Sequence, residues 1–438
     1  MDWREYFKGK KITLIGLGLL GRGVGDAKFL AENGADLIVT DLKTEKELAE
    51  SVGELIGFKN IQFVLGEHRL EDFQNRDFIL NAAGAPLDSP FIAEARKNKI
   101  PIEMSTSLFA KLTEATLVGV TGTRGKSTTT QLIYEILKKT FGEQKVFLGG
   151  NVKGVSTLAF LPRIKKGDFA VLELDSWQLQ GFGEARISPH IAVFTTFLPD
   201  HQNYYKGDMD RYLDDKANIF KNQTKDDFLI LGSQAASIGE KKYKISSQKI
   251  IADENDLPRN WTLKIPGEHN RYNAGLALAC ARVMNISDDV SRSVIEGFSG
   301  VPGRLEFVCE LHGIKIYNDT TATTPDATIA GLKALGATKN IVLIMGGANK
   351  NLDMTKLINE IPNYTKKVIL LPGTGTQKII SKIRGGEETS TLKGAVKMSL
   401  EYATKGDIIL FSPAFASFGM FKNEFDRGDQ FLKLIKNL

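Results

Sequence analysis

Residues 118–130 read VGVTGTRGKSTTT, and the reading of this stretch decides the fold. An apolar strand runs into a tight glycine-containing turn, and a helix follows whose first turn carries Lys126, Ser127 and Thr128. Backbone N–H groups in such a turn and at a helix N-terminus converge on one anion site. Lys126 is long enough to reach the terminal phosphates of a nucleotide, and the Ser127 hydroxyl suits Mg²⁺. The general phosphate-loop pattern asks for glycine five positions before Gly125, where this chain has Val120; its glycine is Gly122.

A second glycine-rich turn lies upstream. In LIGLGLLGRG, residues 14–23, Gly16, Gly18 and Gly21 satisfy G-x-G-x-x-G after a short apolar strand, and Asp41 ends the next strand. That arrangement fits a NAD site, but a three-glycine pattern alone is a weak signal, because any strand-to-helix turn close to an anion favours glycine. With a nucleotide loop already present at 122–128, the first turn is free to hold the diphosphate of a substrate. Downstream, VLELDSWQLQGF (171–182) puts Glu173 at the C-terminal end of a strand, and TTFLPDHQNYY (195–205) puts Asp200 and His201 at the end of the next. Ligands of open α/β sheets bind at that edge. Magnesium prefers oxygen ligands and keeps several waters, so Glu173 and Ser127 are natural candidates. His201 is chemically less natural for Mg²⁺, and a lone histidine is ordinarily structural.

The rest of the chain repeats the same grammar. Its 438 residues exceed one ordinary core. Hydrophobic content of 42% beside 25% charged residues is that of a globular protein, and no uninterrupted apolar segment reaches a membrane span. The net charge of +5 comes without a basic block, since the Lys-rich GEKKYKISSQK (239–249) reads as solvated surface; nucleic-acid binding is not supported. Cys280 and Cys309 lack metal-site spacing and fit a reducing compartment, so a cytoplasmic protein is expected. Lys8, Lys10 and Lys11 precede an apolar run too short and glycine-rich for a secretion signal.

Strand, turn and helix alternate almost throughout, which argues for parallel sheets covered by helices. Helices are expected around 126–139, 208–220 and 270–283, and MSTSLFAKLTEAT (104–116) reads as a connector into a second sheet. A third run of strands begins after GVPGR (300–304). The expectation is an α/β protein of three domains: a Rossmann-like N-terminal domain at 1–105, a central P-loop-type mononucleotide-binding domain at 106–300, and a Rossmann-like C-terminal domain at 301–438.

Eight stretches in order then carry a resemblance: GVTGTRGKSTTT, LELDSWQL, PDHQNYY, GEHNRYNAGLALA, GRLEFV, YNDTTATTPDAT, MGGANKN and SPAFASFGMFKNEFDRG. Together they resemble the Mur ligases over essentially the whole chain, and most closely the branch that adds D-glutamate. The resemblance implies an ATP-dependent amide ligase that joins D-glutamate to UDP-N-acetylmuramoyl-L-alanine through an acyl phosphate, releasing ADP and phosphate. It implies ATP and two Mg²⁺ as cofactors, these two small molecules as partners, no nucleic acid or membrane insertion, and a monomer. An L-glutamate-adding ligase, or a nucleotide-binding regulatory protein without catalysis, are the alternatives.

Carried over position by position, the resemblance puts ATP on Gly122, Thr123, Gly125, Lys126, Ser127 and Thr128, with Asn270 and Asn273 on the adenine side. Arg304 reaches the phosphates and Asp319 the ribose. Ser127, Glu173, His201 and a carbamylated Lys216 hold the metal ions, reversing the structural reading of His201. Leu19, Leu20 and the loop after Asp41 hold the uridine diphosphate, while Asn151 and Gln178 line the muramoyl site. Thr323, Lys350, Ser417 and Phe425 hold the incoming amino acid. Lys126, Glu173, His201, Lys216 and Arg304 form the catalytic set. Three departures stand out: Thr321 where many members have lysine, Glu424 where many have an aromatic (moved here to Phe425), and Asp175 where many have serine.

Overall fold

The computed structural model describes residues 3–19, 21–236, 242–336 and 338–438; Leu20 and residues 239–241 of the Lys-rich stretch lie outside the described residues. Three sheets are present. The first contains β1 (Lys11–Ile15), β2 (Asp36–Asp41), β3 (Ile61–Leu65), β4 (Phe78–Asn81) and β5 (Ile102–Glu103), all parallel, in the order β3-β2-β1-β4-β5. The second contains β6 (Thr116–Thr121), β7 (Val146–Gly150), β8 (Phe169–Glu173), β9 (Ile191–Phe194), β10 (Phe228–Gly232) and β11 (Gln248–Ala252), again all parallel, in the order β11-β10-β9-β6-β8-β7. These strands read as near-continuous apolar runs because helices cover both faces of a parallel sheet.

The third sheet contains β12 (Glu306–Leu311), β13 (Ile314–Asn318), β14 (Ile341–Met345), β15 (Thr365–Leu370), β16 (Gly386–Glu388) and β17 (Ile408–Phe411). Its order is β12-β13-β17-β14-β15-β16, and β12 pairs antiparallel with β13. The expectation of purely parallel sheets is corrected there. Only His312 and Gly313 separate the two strands, both with positive φ, and so short a link permits a hairpin but no crossover.

Expected helices are found at Lys126–Phe141, Met209–Ala217 and Glu268–Val283. The connector contains the helix Ser105–Leu112, whose Leu108 and Phe109 join the core beneath the first two sheets. Among the described residues no helix is long and apolar enough to cross a membrane. The chain forms two compact units. One comprises the chain up to Phe197 with Asp210–Ala252 and Leu276–Ser291; the other comprises Leu198–Met209, Asp253–Gly275 and Arg292–Leu438.

Within the first unit, three segments meet on one carboxylate. Asp26, in the helix Arg22–Glu32, accepts hydrogen bonds on Oδ1 from Ser105 Oγ at 2.8 Å and from Ser156 Oγ at 2.5 Å. The helix that follows the first glycine turn is thereby pinned to the connector and to the loop after β7. Burial pushes the Asp26 carboxyl up to about 6, against the lowering effect of the two serines and Arg22. Because the folded value lies above the ordinary 3.8, the stability Asp26 contributes is complete below that pH and is lost as pH climbs through 6. Asp26→Asn keeps the accepting oxygen and removes the titration. The melting temperature of the wild type should therefore fall relative to that of Asp26→Asn between pH 4 and 7; a constant difference across that range contradicts the assignment.

Candidate active site

β6 lies between β8 and β9, so the carboxyl ends of three adjacent strands open on one edge of the second sheet. The turn Gly122–Gly125 follows β6, Glu173 is the last residue of β8, and Thr195 and Thr196 follow β9. Gly125 caps the helix Lys126–Phe141 with φ 84°, in the left-handed region that glycine adopts at no steric cost. The N–H groups of a helix's first turn have no acceptor within the helix, a setting that suits an anion. Gly122 has φ 137°, and a Cβ there would run into Thr195 Oγ1.

The turn is laced to the end of β9. Thr123 N–H donates to the Thr196 carbonyl at 2.7 Å and Arg124 N–H to Thr196 Oγ1 at 2.8 Å, while Thr195 Oγ1 donates to the Arg124 carbonyl at 2.5 Å. These two threonines hold the turn in place and were not among the residues expected from the sequence. Their signal was the pair of hydroxyls in FTTF directly after a strand.

Two lysines converge on one carbonyl. Lys126 Nζ donates to Gly122 O at 3.1 Å and to Thr123 O at 3.2 Å, and Lys216 Nζ donates to Gly122 O at 2.9 Å. Lys216 is only 1% exposed, and its ammonium stands over the Tyr212 ring, 4.9 Å from the centroid. An ordinary helical lysine is solvated; this one is held inside by a carbonyl and an aromatic face. Glu173 is buried; its Oε1 accepts from Asn151 Nδ2 at 3.3 Å, and its carbonyl accepts from Asn151 N–H at 2.7 Å. Asp175, one of the three departures, caps the helix Ser176–Ala185 in a reciprocal box with Gln178.

The first sheet reverses its strand order beside β1, and a cavity of about 240 Å³ opens at the carboxyl ends of β1 and β4. Gly16, Gly18, Leu19, Asn81, Thr106 and Gln178 are among its lining residues. Asp41 turns inward to fix the loops around it: Oδ2 accepts from Gly18 N–H at 3.0 Å and Oδ1 from Lys43 N–H at 2.9 Å.

In the second unit, β13, β17 and β14 are neighbours, and their carboxyl ends carry Asp319, the loop 412–417 and the loop 346–350. Ala348 and Ala416 form an isolated bridge that joins the loops carrying Lys350 and Ser417. Lys350 Nζ lies 3.2 Å from Thr323 Oγ1 and 3.8 Å from Asp200 Oδ1. His201, with φ 53°, donates its backbone N–H to Asp200 Oδ1 and belongs to this unit, as do Asn270 and Asn273. The two asparagines are buried, with Asn273 Nδ2 donating to Asn270 Oδ1 at 3.2 Å. Asp319 accepts from Leu305 N–H and from Ser412 Oγ, and burial raises its carboxyl to about 7. Arg304 is exposed on the adjoining turn. Thr321 donates to the Gly303 carbonyl at 2.9 Å and so ties that turn to the loop after Asp319.

Arg427 was also missed. It is fully buried in the helix Glu424–Lys436, and its guanidinium donates to Thr320 Oγ1, Thr320 O and Phe415 O, crosslinking the loops that carry Thr323 and Ser417. Burial lowers its pKa to about 10. Phe425, two residues earlier, is half-buried at the start of the same helix.

Comparison with known proteins identifies the family of the chain. Residues 120–255 match the Mur ligase middle domain, and residues 303–415 match the Mur ligase glutamate ligase domain. The UDP-N-acetylmuramoylalanine–D-glutamate ligase of Roseiflexus sp. is 35% identical, covering 98% of this chain and 99% of its own. The ligase of the same name from Borreliella afzelii is 36% identical over 99% of each chain. Among solved structures, the UDP-N-acetylmuramate–alanine ligase of Thermotoga maritima superposes with a TM-score of 0.64 at 19% identity, over 98% of this chain and 99% of its own. The MurF ligase of T. maritima, solved with ADP, gives 0.57 at 17% identity over 84% of this chain and 96% of its own.

The geometry of the glycine turn generates a stability test. Gly122→Ala forces a side chain toward Thr195 at a strained φ, which should cost about 1–3 kcal/mol. Urea unfolding should show a clearly lowered midpoint, and an unchanged midpoint contradicts the described turn.

Proposed function

Because this chain belongs to the Mur ligase family, we propose that it is an ATP-dependent amide ligase that adds D-glutamate to UDP-N-acetylmuramoyl-L-alanine. The observation that carries the reading is the convergence of Lys126 and buried Lys216 on the Gly122 carbonyl, beside β8, which ends in Glu173. Such a site is built to hold a polyphosphate against cationic and carboxylate groups. We assign the sugar nucleotide to residues 1–105, ATP to 106–300 and the amino acid to 301–438.

The alanine carboxylate attacks the γ-phosphorus of ATP; an O–P bond forms, the bond to the β-phosphate oxygen breaks, and ADP leaves. The glutamate amine then attacks the acyl carbon, loses a proton, and expels phosphate from the tetrahedral intermediate. Little covalent work falls to the protein, so alignment and charge stabilisation dominate. Lys126 moves from the turn carbonyls to the γ-phosphate, and Arg304 supplies a second cation. Asn270 and Asn273 hold the adenine and Asp319 accepts from the ribose. Leu19, Leu20, the loop after Asp41, Asn151 and Gln178 orient the sugar nucleotide. Thr323, Lys350, Ser417 and Phe425 hold glutamate, with Arg427 keeping their loops in register.

The donor chemistry fits one Mg²⁺. Among the described residues no three His, Cys, Asp or Glu side chains converge as a metal cage, and the Ser127 hydroxyl and Glu173 carboxylate are the hard oxygen donors that an ion shared with nucleotide phosphates uses. Ser127 and Glu173 would hold the ion, and Mg²⁺ bound there would supply neutralisation of charge on the transferred phosphate. A second ion needs oxygen donors beyond the His201 imidazole. Lys216 would supply them once its ammonium, which donates to Gly122, loses a proton and the free amine adds CO₂ with loss of a second proton, leaving a carbamate whose oxygens would serve as ligands. The chain acts as a cytoplasmic monomer in this reading.

Phosphate release with ATP, Mg²⁺ and UDP-N-acetylmuramoyl-L-alanine should require D-glutamate. Release with L-glutamate instead would move the chain to another branch. Lys126→Ala should keep the fold and cost roughly 10²–10³ in turnover, the loss of one preorganised charge donor. Turnover within a fewfold of wild type refutes the role of Lys126.

A further inference from the structure

The helix Arg22–Glu32 starts in close contact with the loop after β7. A Cβ on Gly21 would stand 3.4 Å from Gly154 Cα, and one on Gly25 would strike Ser156 at 2.7 Å. Across this contact reaches one long cation: Arg22 Nη1 donates to Asn151 Oδ1 at 2.8 Å, between residues 129 apart in sequence. The same Asn151 side chain donates from Nδ2 to Glu173 Oε1. With its oxygen accepting from a guanidinium that cannot give up its proton, the amide has one orientation, and its NH₂ faces the carboxylate.

Arg22 also lines the cavity at the carboxyl ends of β1 and β4, together with Gly16, Gly18 and Thr106. A guanidinium carries five N–H donors in a planar fork, and the bond to Asn151 uses one of its two terminal nitrogens. The remaining donors belong to a side chain standing where the first glycine turn presents its backbone. Arg22 is thus shared between the cavity and Glu173, to which Asn151 links it.

We propose that Arg22 is a positioning residue that binds the diphosphate of the sugar nucleotide and, through Asn151, sets the orientation of the Glu173 carboxylate. This rests on the sugar-nucleotide reading of the first cavity given above. Filling that cavity is then coupled to the arrangement of the phosphoryl-transfer site. A purely structural tether would lower stability without affecting ligand binding.

Calorimetric titration of the full chain with UDP and with UDP-N-acetylmuramoyl-L-alanine, without ATP or Mg²⁺, separates the possibilities. Arg22→Met should weaken both ligands at least tenfold, and Arg22→Lys, which keeps a charge without the fork, should fall between. In steady-state assays of Arg22→Met, KM for the sugar nucleotide should rise at least tenfold and kcat should fall at saturating substrate, because Glu173 loses its orientation through Asn151, whereas a purely structural tether moves neither. The double variant Arg22→Met/Asn151→Ala should lose less than the product of the two single losses, because the two residues act as one unit. Wild-type binding together with Arg22→Met and Arg22→Lys binding within twofold of it overturns the proposal and leaves the substrate reading standing. A wild-type protein that binds neither ligand overturns both.

Discussion

The carbonyl of Gly122 is the point on which the rest of the site depends. A backbone oxygen that accepts from both Lys126 Nζ and Lys216 Nζ fixes where these two side chains lie. Neither lysine could be brought there by a turn with a side chain at Gly122, since the space is already filled by Thr195. The left-handed Gly125 then starts the helix whose first N–H groups complete the anion site. Sterics at two glycines thus set the electrostatics of the loop, and preorganised charge is the largest lever an enzyme of this chemistry has.

The same economy recurs across the molecule. Each of the three sheets presents its functional loops at the carboxyl ends of adjacent strands, where loops converge without disturbing the ladder. Buried ionisable groups stand at these edges: Asp26 beside the first sheet, Lys216 beside the second, Asp319 and Arg427 beside the third. Burial raises the two aspartates and lowers the arginine, so each of those three costs folding free energy in its charged form. What each does locally is tie separate loops together. Asp26 joins a helix to two serines from distant segments, and Arg427 crosslinks the loops after β13 and β17.

Much of this was legible in the sequence because parallel strands and amphipathic helices have local periodicity. The glycine turns at 16–21 and 122–125, the position of Glu173 at a strand end and the helix at 126 all follow from short windows. Other features have no local trace. The bond from Arg22 to Asn151 joins residues whose strands belong to different sheets, and nothing near either residue signals it. Arg427 looks like a surface arginine in DRG, and only the folded loops make it a buried crosslink. Lys216 likewise reads as solvated until the Tyr212 ring and the Gly122 carbonyl enclose it. The antiparallel strand β12 escaped because its edge position leaves it only partly buried, without a clean apolar run. Asp175, a departure where many members have serine, caps a helix, a use common for aspartate in that position.

Transfer of the γ-phosphoryl group of ATP to a carboxylate leaves an isotopic signature in the released phosphate. With ¹⁸O in both oxygens of the alanine carboxylate of UDP-N-acetylmuramoyl-L-alanine, a turnover in the presence of D-glutamate should leave one ¹⁸O in the amide and place the other in the released phosphate. Mass spectrometry of that phosphate reads the outcome. Phosphate free of ¹⁸O, formed alongside amide product, contradicts the account.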